Sequence, residues 1–305
     1  MRSFRKLLIP FLTLFSFLLP THLYAETNLK IPVEYGEVIY RSNEKSLNQI
    51  FIIGIGHRDP LTYLNGNNTS RVQVEVYKIG DWLIRNQGSE LLLPEGFFKS
   101  TSAKIGKKNI NAPERETSCT PLDMKVLEER LSDNKTYVNA EMLLKENHPL
   151  RLRQVEDKDL YDAVRTDIFK LVSCRGNASD YSSVKSELDY LQEKRTAAML
   201  QKIPKIVDEE FRQGNIKSKK AIFTVGMLHL HKIITYLNKN RIKIYAPLLT
   251  PNGSEDYIAE LNLQKENFGV SVILPRTLAD DQKILEINQL DKIVRECRSN
   301  TPVLH

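Results

Sequence analysis

The chain has 305 residues, of which 41% are hydrophobic and 27% are charged, with 44 basic and 38 acidic side chains. This length and apolar share suffice for a sizeable core, which excludes a wholly disordered chain. No internal segment reaches the roughly 18 consecutive apolar residues of a membrane span, so a polytopic membrane protein is also excluded. The formal charge of +6 raises the question of a nucleic-acid partner.

Residues 1–25 have the pattern of a secretory signal peptide. Three basic residues precede an apolar run of 13 residues over 7–19, and Ala25 offers a small residue at the cleavage point. The alternative is an uncleaved anchor, for which this run is short. Cleavage leaves residues 26–305, predicted to form a single domain, with 41 basic against 38 acidic side chains, a net charge of +3. We therefore predict a periplasmic or secreted protein with no nucleic-acid partner and no stable membrane span after signal cleavage.

Strands and helices alternate from the start of this domain. A β-branched apolar run over 50–55 predicts a buried strand, and apolar residues at helical spacing predict a helix capped by Ser70 and closed by Gly88. Residues 90–93 form the next apolar run, which is stopped by Pro94. Strand, helix and strand at this spacing predict a βαβ unit with a parallel pair.

The same alternation continues toward the C-terminus. A loop is predicted from Lys99. Helices are predicted from Thr120, over 159–171, over 181–211 with a kink at Pro204, and through Leu237. Further strands are predicted over 221–225, 241–246 and 270–274. Alternating strands and helices predict an α/β fold, a two-halved sandwich with a largely parallel central sheet flanked by helices.

One short motif occurs twice in the chain. Residues 51–57 and 223–229 both have the pattern F-x-[I/V]-G-x-x-H, and each begins within a predicted buried strand. Sites in open parallel sheets lie beyond the carboxyl ends of the strands. The repeated context predicts two related halves that deliver His57 and His229 to one cleft. For either histidine alone, the alternative is an ordinary core or surface residue.

A glutamate and an arginine are further candidates. Glu95 follows an apolar strand and precedes Gly96, as expected for a metal ligand or a general base, and the alternative is a turn or capping residue. Arg195 continues a helical apolar stripe, so its guanidinium is predicted to need a partner such as Glu95, or an anionic or carbonyl oxygen. The alternative is that the aliphatic part of the Arg195 side chain packs against the core while its guanidinium reaches solvent.

Two weaker features receive structural interpretations. His231 forms H-x-H with His229, but the strand is predicted to end at Gly226, which places His231 on a helix surface. Glu156 and Asp157 precede a predicted helix. Capping by Asp157 explains this carboxylate pair without a catalytic role.

The chain contains three cysteines, Cys119, Cys174 and Cys297. In an exported chain they allow at most one intramolecular disulfide, and the pairing is left open. Their spacing matches no metal site, and none of them lies in a recognisable nucleophile motif.

Taken together, these motifs resemble the TraB/TIKI/GumN group, part of a wider superfamily with erythromycin esterase and ChaN-like haem-binding proteins. The resemblance covers roughly residues 50–250 and consists of G-x-x-H twice, a strand-terminal glutamate in L-L-P-E-G, and R-x-x-x-M on the helix between them. It implies a two-halved α/β fold with the histidines and the glutamate in one central cleft.

The residues that match the group are His57, Glu95, Arg195 and His229, with Gly54 and Gly226 expected to shape the turns. The sequence departs from the group at Thr196, where relatives often carry asparagine. Asp59 and Pro60 after the first histidine are also particular to this chain.

The resemblance implies an exported hydrolase that cleaves a peptide or ester bond of a peptide or small-molecule substrate. In a metal-dependent version, like the TIKI proteins, His57, Glu95 and His229 hold a divalent ion and Arg195 steadies the oxyanion. In a metal-free version, like erythromycin esterase, a histidine activates water and Glu95 orients it.

Two other functions stay open on the sequence. A haem- or cofactor-binding protein of the ChaN type would use His57 or His229 as an iron ligand, without turnover. A non-catalytic scaffold of the export pathway is the third alternative. The sequence motifs do not separate these functions.

Overall fold

The computed structural model describes residues 29–56, 68–98, 126, 129, 139–173, 178–247, 255–261, 263 and 265–300. Several predicted features lie outside these residues: the signal peptide over 1–25, His57, Asp59, Pro60, the loop from Lys99, most of the helix from Thr120, Cys119 and Cys174.

Six of the described strands form a central sheet. The eight strands that the structure describes are β1 (Gly36–Ser42), β2 (Asn48–Ile55), β3 (Leu91–Pro94), β4 (Arg151–Leu152), β5 (Lys220–Gly226), β6 (Arg241–Ile244), β7 (Tyr257–Glu260) and β8 (Phe268–Pro275). The central sheet has the order β1-β8-β2-β5-β3-β4, and β6 pairs with β7 in a separate sheet. Only β1 runs antiparallel to its neighbour in the central sheet, which is therefore largely parallel, as predicted.

Helices flank this sheet. Those described are α1 (Thr69–Gln87), α2 (Ala140–Asn147), α3 (Lys158–Ser173), α4 (Ala178–Arg212), α5 (Met227–Lys239), α6 (Arg276–Ala279), α7 (Gln282–Ile287) and α8 (Asp291–Asn300). Helix α4 packs against α3 and α5, and α1 packs against α2 and α6. The predicted α/β fold is thus confirmed. Within the described ranges, no helix is long and apolar enough to cross a membrane.

The inner strands are buried on both faces. All eight residues of β8 are buried, and so are all residues of β2 after the first. Continuous apolar runs of this kind are typical of parallel strands covered by helices on both sides. Full burial of each Ile, Leu or Phe side chain contributes about 1.5–3 kcal/mol, so these strands supply much of the stability.

The two strands of the predicted βαβ unit are parallel, as expected, but they are not neighbours in the sheet. Strands β2 and β3 are parallel, but β5 lies between them and pairs with both. Helix α1 ends at Gly88 with φ +68°, as predicted, because glycine adopts the left-handed conformation at little cost. The predicted cap was wrong: Asn68 occupies the N-cap position, and Ser70 lies within the helix.

The two copies of the repeated motif lie on the neighbouring strands β2 and β5. Phe51 pairs with Ile222, and Ile52 pairs with Phe223, so the copies are offset by one residue. A one-residue offset turns equivalent side chains to opposite faces of the sheet. Gly54 lies inside β2, so the prediction that it shapes a turn was wrong. A Cβ at Gly54 would lie 2.6 Å from a methyl of Leu230, and glycine lets α5 approach.

The strand predicted over 241–246 is β6, which does not join the central sheet. Its burial alternates, with Ile242 and Ile244 buried and Arg241 and Lys243 exposed. Such alternation is typical of a strand covered on one face only, in contrast to the continuous runs of the central strands.

Candidate active site

Glu95 links the ends of two neighbouring parallel strands. It directly follows β3, and its backbone N–H donates to the carbonyl of Thr224 in β5 at 2.9 Å. Its carboxylate Oε2 accepts a hydrogen bond from the backbone N–H of Gly226, at the end of β5. Because its side chain is only 8% exposed, the carboxylate lies at the sheet edge and is largely shielded from water.

The chain turns sharply after Glu95. Gly96 has φ +74°, in the left-handed region, and a Cβ built there would meet nothing within 4 Å. Glycine is therefore required by the backbone conformation rather than by lack of space. This turn fixes the direction in which Glu95 leaves β3.

Replacing Gly96 by alanine is expected to lower the free energy of unfolding by about 1–2 kcal/mol, the cost of a left-handed residue with a Cβ. Urea unfolding measures the effect. Gly56→Ala is the matched control, because its φ is not in the left-handed region and its nearest new contact is an ordinary 3.8 Å to Val72. Equal losses in the two variants would contradict the conformational explanation.

Arg195 is buried and bound by two carboxylates. Its Nη2 donates to Glu95 Oε1 at 2.6 Å and also to Glu156 Oε1, and its Nε donates to Glu156 Oε2 at 3.0 Å. Its Cζ lies 5.2 Å from the ring centroid of Tyr161, which adds a cation–π contact. The predicted partner Glu95 is confirmed, and the alternative of a solvated head is wrong.

The guanidinium of Arg195 stays protonated. Burial alone would lower the pKa of its guanidinium, but the hydrogen bonds with Glu156 and the charge of Glu95 outweigh burial and raise that pKa above its ordinary value. Arg195 is therefore a permanent positive charge at this site.

Glu156 is the site residue that the sequence prediction missed. Asp157 does cap the helix that follows, since its Oδ1 accepts from the backbone N–H groups of Asp159 and Leu160. Glu156 does not share that role: its side chain is fully buried and holds Arg195 through two hydrogen bonds. Interpreting both carboxylates as helix capping was wrong for Glu156.

His229 completes the cluster from the first turn of α5. It is 5% exposed, its Nε2 lies 3.3 Å from Glu95 Oε1, and the same atom lies 3.5 Å from Nη1 of Arg195. Its Nδ1 lies 2.6 Å from the hydroxyl of Thr196. The structure thus brings together Glu95, Arg195 and His229, three of the four predicted residues, while His57 lies outside the described residues.

His231 does not extend the site. It lies two residues after His229 on α5, and residues at that separation do not share a helix face. Its ring is partly buried. The pKa of His231 is lowered mainly by this burial and also by the positive charge of the neighbouring Lys232. The prediction that His231 lies on the helix rather than on the strand is confirmed.

The described side chains fit a divalent ion poorly. Glu95 Oε1 and His229 Nε2 are close enough to share one ion, but Arg195 donates to the first atom and lies 3.5 Å from the second. Glu156 holds the guanidinium there, so a metal would face a fixed positive charge at both donors. Among the residues that the structure describes, no group of three or more His, Cys, Asp or Glu side chains is arranged to hold a metal.

No family model matches the chain, and no curated protein or solved structure matches it significantly. The resemblance to the TraB/TIKI/GumN group therefore stays a prediction that depends on the sequence motifs. Thr196, where the chain departs from that group, contacts His229 directly. The departure thus lies inside the candidate site.

Proposed function

We propose that the protein is an exported hydrolase that cleaves an ester or peptide bond by metal-free general-base catalysis. One observation carries the proposal: Glu95, Arg195 and His229, far apart in the sequence, meet in a buried cluster at the carboxyl ends of β3 and β5. Ligands of open α/β sheets bind at that edge. A base, a carboxylate and a fixed cation are the groups that such a reaction uses.

In the proposed reaction, Nε2 of His229 removes a proton from a water molecule as the water oxygen attacks the carbonyl carbon. The carbonyl double bond opens, and its electron pair becomes the charge of the oxyanion, which Arg195 stabilises. The electron pair of the oxyanion then re-forms the carbonyl double bond as the carbon–oxygen or carbon–nitrogen bond breaks. Nε2 returns the proton to the departing alcohol or amine, and the carboxylic acid is the other product. Glu95, 3.3 Å from Nε2, stabilises the protonated ring between the two steps.

Exposure supports this division of roles. The side chains of Glu95 and His229 are 8% and 6% exposed, whereas that of Glu156 is 0% exposed. Glu156 is thus the member of the cluster that is fully removed from solvent and fixes Arg195, while Glu95, Arg195 and His229 each keep a small exposed fraction.

The surroundings of His229 count against this histidine as a haem ligand. An axial ligand needs its free nitrogen to face an open, largely apolar space that accepts the porphyrin. Nε2 of His229 instead faces the Glu95 carboxylate and the Arg195 guanidinium, and Nδ1 faces Thr196. His229 is therefore better suited to proton transfer than to binding haem.

The proposal is tested by assaying the purified protein on nitrophenyl esters of increasing acyl length and on a peptide library, with a parallel haem titration. We expect hydrolysis of at least one ester or peptide and no Soret band. A Soret band without hydrolysis would support a binding protein and contradict the proposal. Absence of both would also contradict it and leave a scaffold function in its place.

A further inference from the structure

Thr196 lies between His229 and the backbone of its own helix. Its Oγ1 is 2.8 Å from the carbonyl oxygen of Gln192, one turn earlier in α4, and 2.6 Å from Nδ1 of His229. Both Thr196 and His229 are buried, at 2% and 5% exposure. Water is thus largely kept from the hydroxyl and from Nδ1, and their hydrogen bonds are decided within the protein.

Counting protons settles the direction of these two bonds. A threonine hydroxyl has one proton to donate, and a carbonyl oxygen can only accept. The contact with Gln192 is a hydrogen bond only if Thr196 donates its proton there. The 2.6 Å contact with His229 is then a hydrogen bond only if Nδ1 carries a proton and donates it to Oγ1.

We infer that Thr196 is a positioning residue that holds neutral His229 as the Nδ1–H tautomer. In a neutral imidazole only one nitrogen carries a proton, so Nε2 keeps its lone pair. That lone pair is directed toward the side of the ring where Glu95 and Arg195 lie. The hydroxyl thereby leaves Nε2 unprotonated, which is the form of the ring that the proposed reaction requires.

The opposite tautomer has weaker contacts. It would give up the 2.8 Å bond from Thr196 to Gln192, because the hydroxyl proton would have to turn toward Nδ1. In return, Nε2–H would gain only a contact of 3.3 Å with Glu95 Oε1, longer than a normal hydrogen bond. The short contacts therefore favour the proton on Nδ1.

The experiment is nitrogen NMR of the purified protein labelled with ¹⁵N-histidine, recorded at alkaline pH, where imidazole rings are neutral. His229→Gln assigns the signals. We expect Nδ1 to carry the proton in the wild type and in Thr196→Ser, and a shift of population toward Nε2–H in Thr196→Val, which keeps the shape but lacks the hydroxyl.

An Nε2–H ring in the wild type, or an unchanged tautomer in Thr196→Val, would overturn the inference. The wild-type spectrum tests it even if the valine variant does not fold. The catalytic consequence rests on the proposed function: Thr196→Val should lower kcat about tenfold or more with KM little changed, and Thr196→Ser should restore it. Because the tautomer is observed without any substrate, failure of the proposed function and failure of this inference are distinguishable.

Discussion

Replacing Glu156 by glutamine is expected to lower the free energy of unfolding by about 3–5 kcal/mol, the usual cost of removing one partner from a buried ion pair. The side chain of Glu156 is 0% exposed, and it holds Arg195 through both of its oxygens. Glutamine keeps the volume but loses the charge, so Arg195 keeps Glu95 as its only carboxylate among the described contacts. Urea or thermal unfolding measures the loss.

Asp157→Asn is the matched control for this substitution. Asp157 is the next residue and also binds a basic side chain, Lys202, but its side chain is 38% exposed. Exposed ion pairs contribute about 0–1 kcal/mol, and asparagine still caps the helix. Similar losses in the two variants, or a loss below about 1 kcal/mol in Glu156→Gln, would contradict the role of Glu156 as the buried support of Arg195.

His229→Gln is expected to lower hydrolysis by about 10²–10⁴-fold, the usual contribution of a general base. The folded state should survive, since glutamine retains a polar group near Thr196. The measurement is kcat/KM on the best ester or peptide, with circular dichroism to confirm folding.

His231→Gln provides the comparison for this loss. His231 lies on the same helix, two residues after His229, and its ring is only partly buried. We expect the kcat/KM of this variant to stay within about twofold of the wild type, because residues two apart do not share a helix face. Comparable losses at both positions would mean that the substitutions act through the helix rather than through catalysis by His229.

Much of the fold follows from local sequence patterns. The runs at β2, β3, β5 and β8 are continuous and apolar, so their strands are predictable within one or two residues. Helices α3 and α4 extend only slightly beyond the predicted ranges, and Pro204 lies within α4 as expected. The insertion of β5 between β2 and β3 was not predictable, because strand order is decided by packing between distant segments.

The elements that the sequence patterns missed are short or depend on partners. Strand β1 is an edge strand with mixed burial, and it is stabilised by antiparallel pairing with β8 rather than by a long apolar run of its own. Helix α2 has eight residues and half of them are buried, too few for a strong periodic signal. Both elements are stabilised by contacts with a distant segment, β8 for β1 and α1 for α2, and not by a strong pattern in their own sequence.

The site was predictable to the extent that its residues break a pattern. Glu95 ends an apolar strand, His229 follows a repeated glycine, and Arg195 interrupts an apolar helix stripe, so each is conspicuous. Glu156 sits beside Asp157, an ordinary capping residue, and nothing in that spacing shows which carboxylate turns inward. A buried guanidinium has five N–H donors, more than one carboxylate can satisfy, and this was the available signal for a second carboxylate.

The central claim is that hydrolysis by Glu95, Arg195 and His229 needs no metal ion, because Arg195 supplies the positive charge that stabilises the oxyanion. The most direct test is the rate of hydrolysis by protein stripped of metals with a chelator and then dialysed, compared with untreated protein. We expect equal rates, and no stimulation by added zinc, manganese or calcium. Loss of activity on stripping, restored by one of these ions, would contradict the claim.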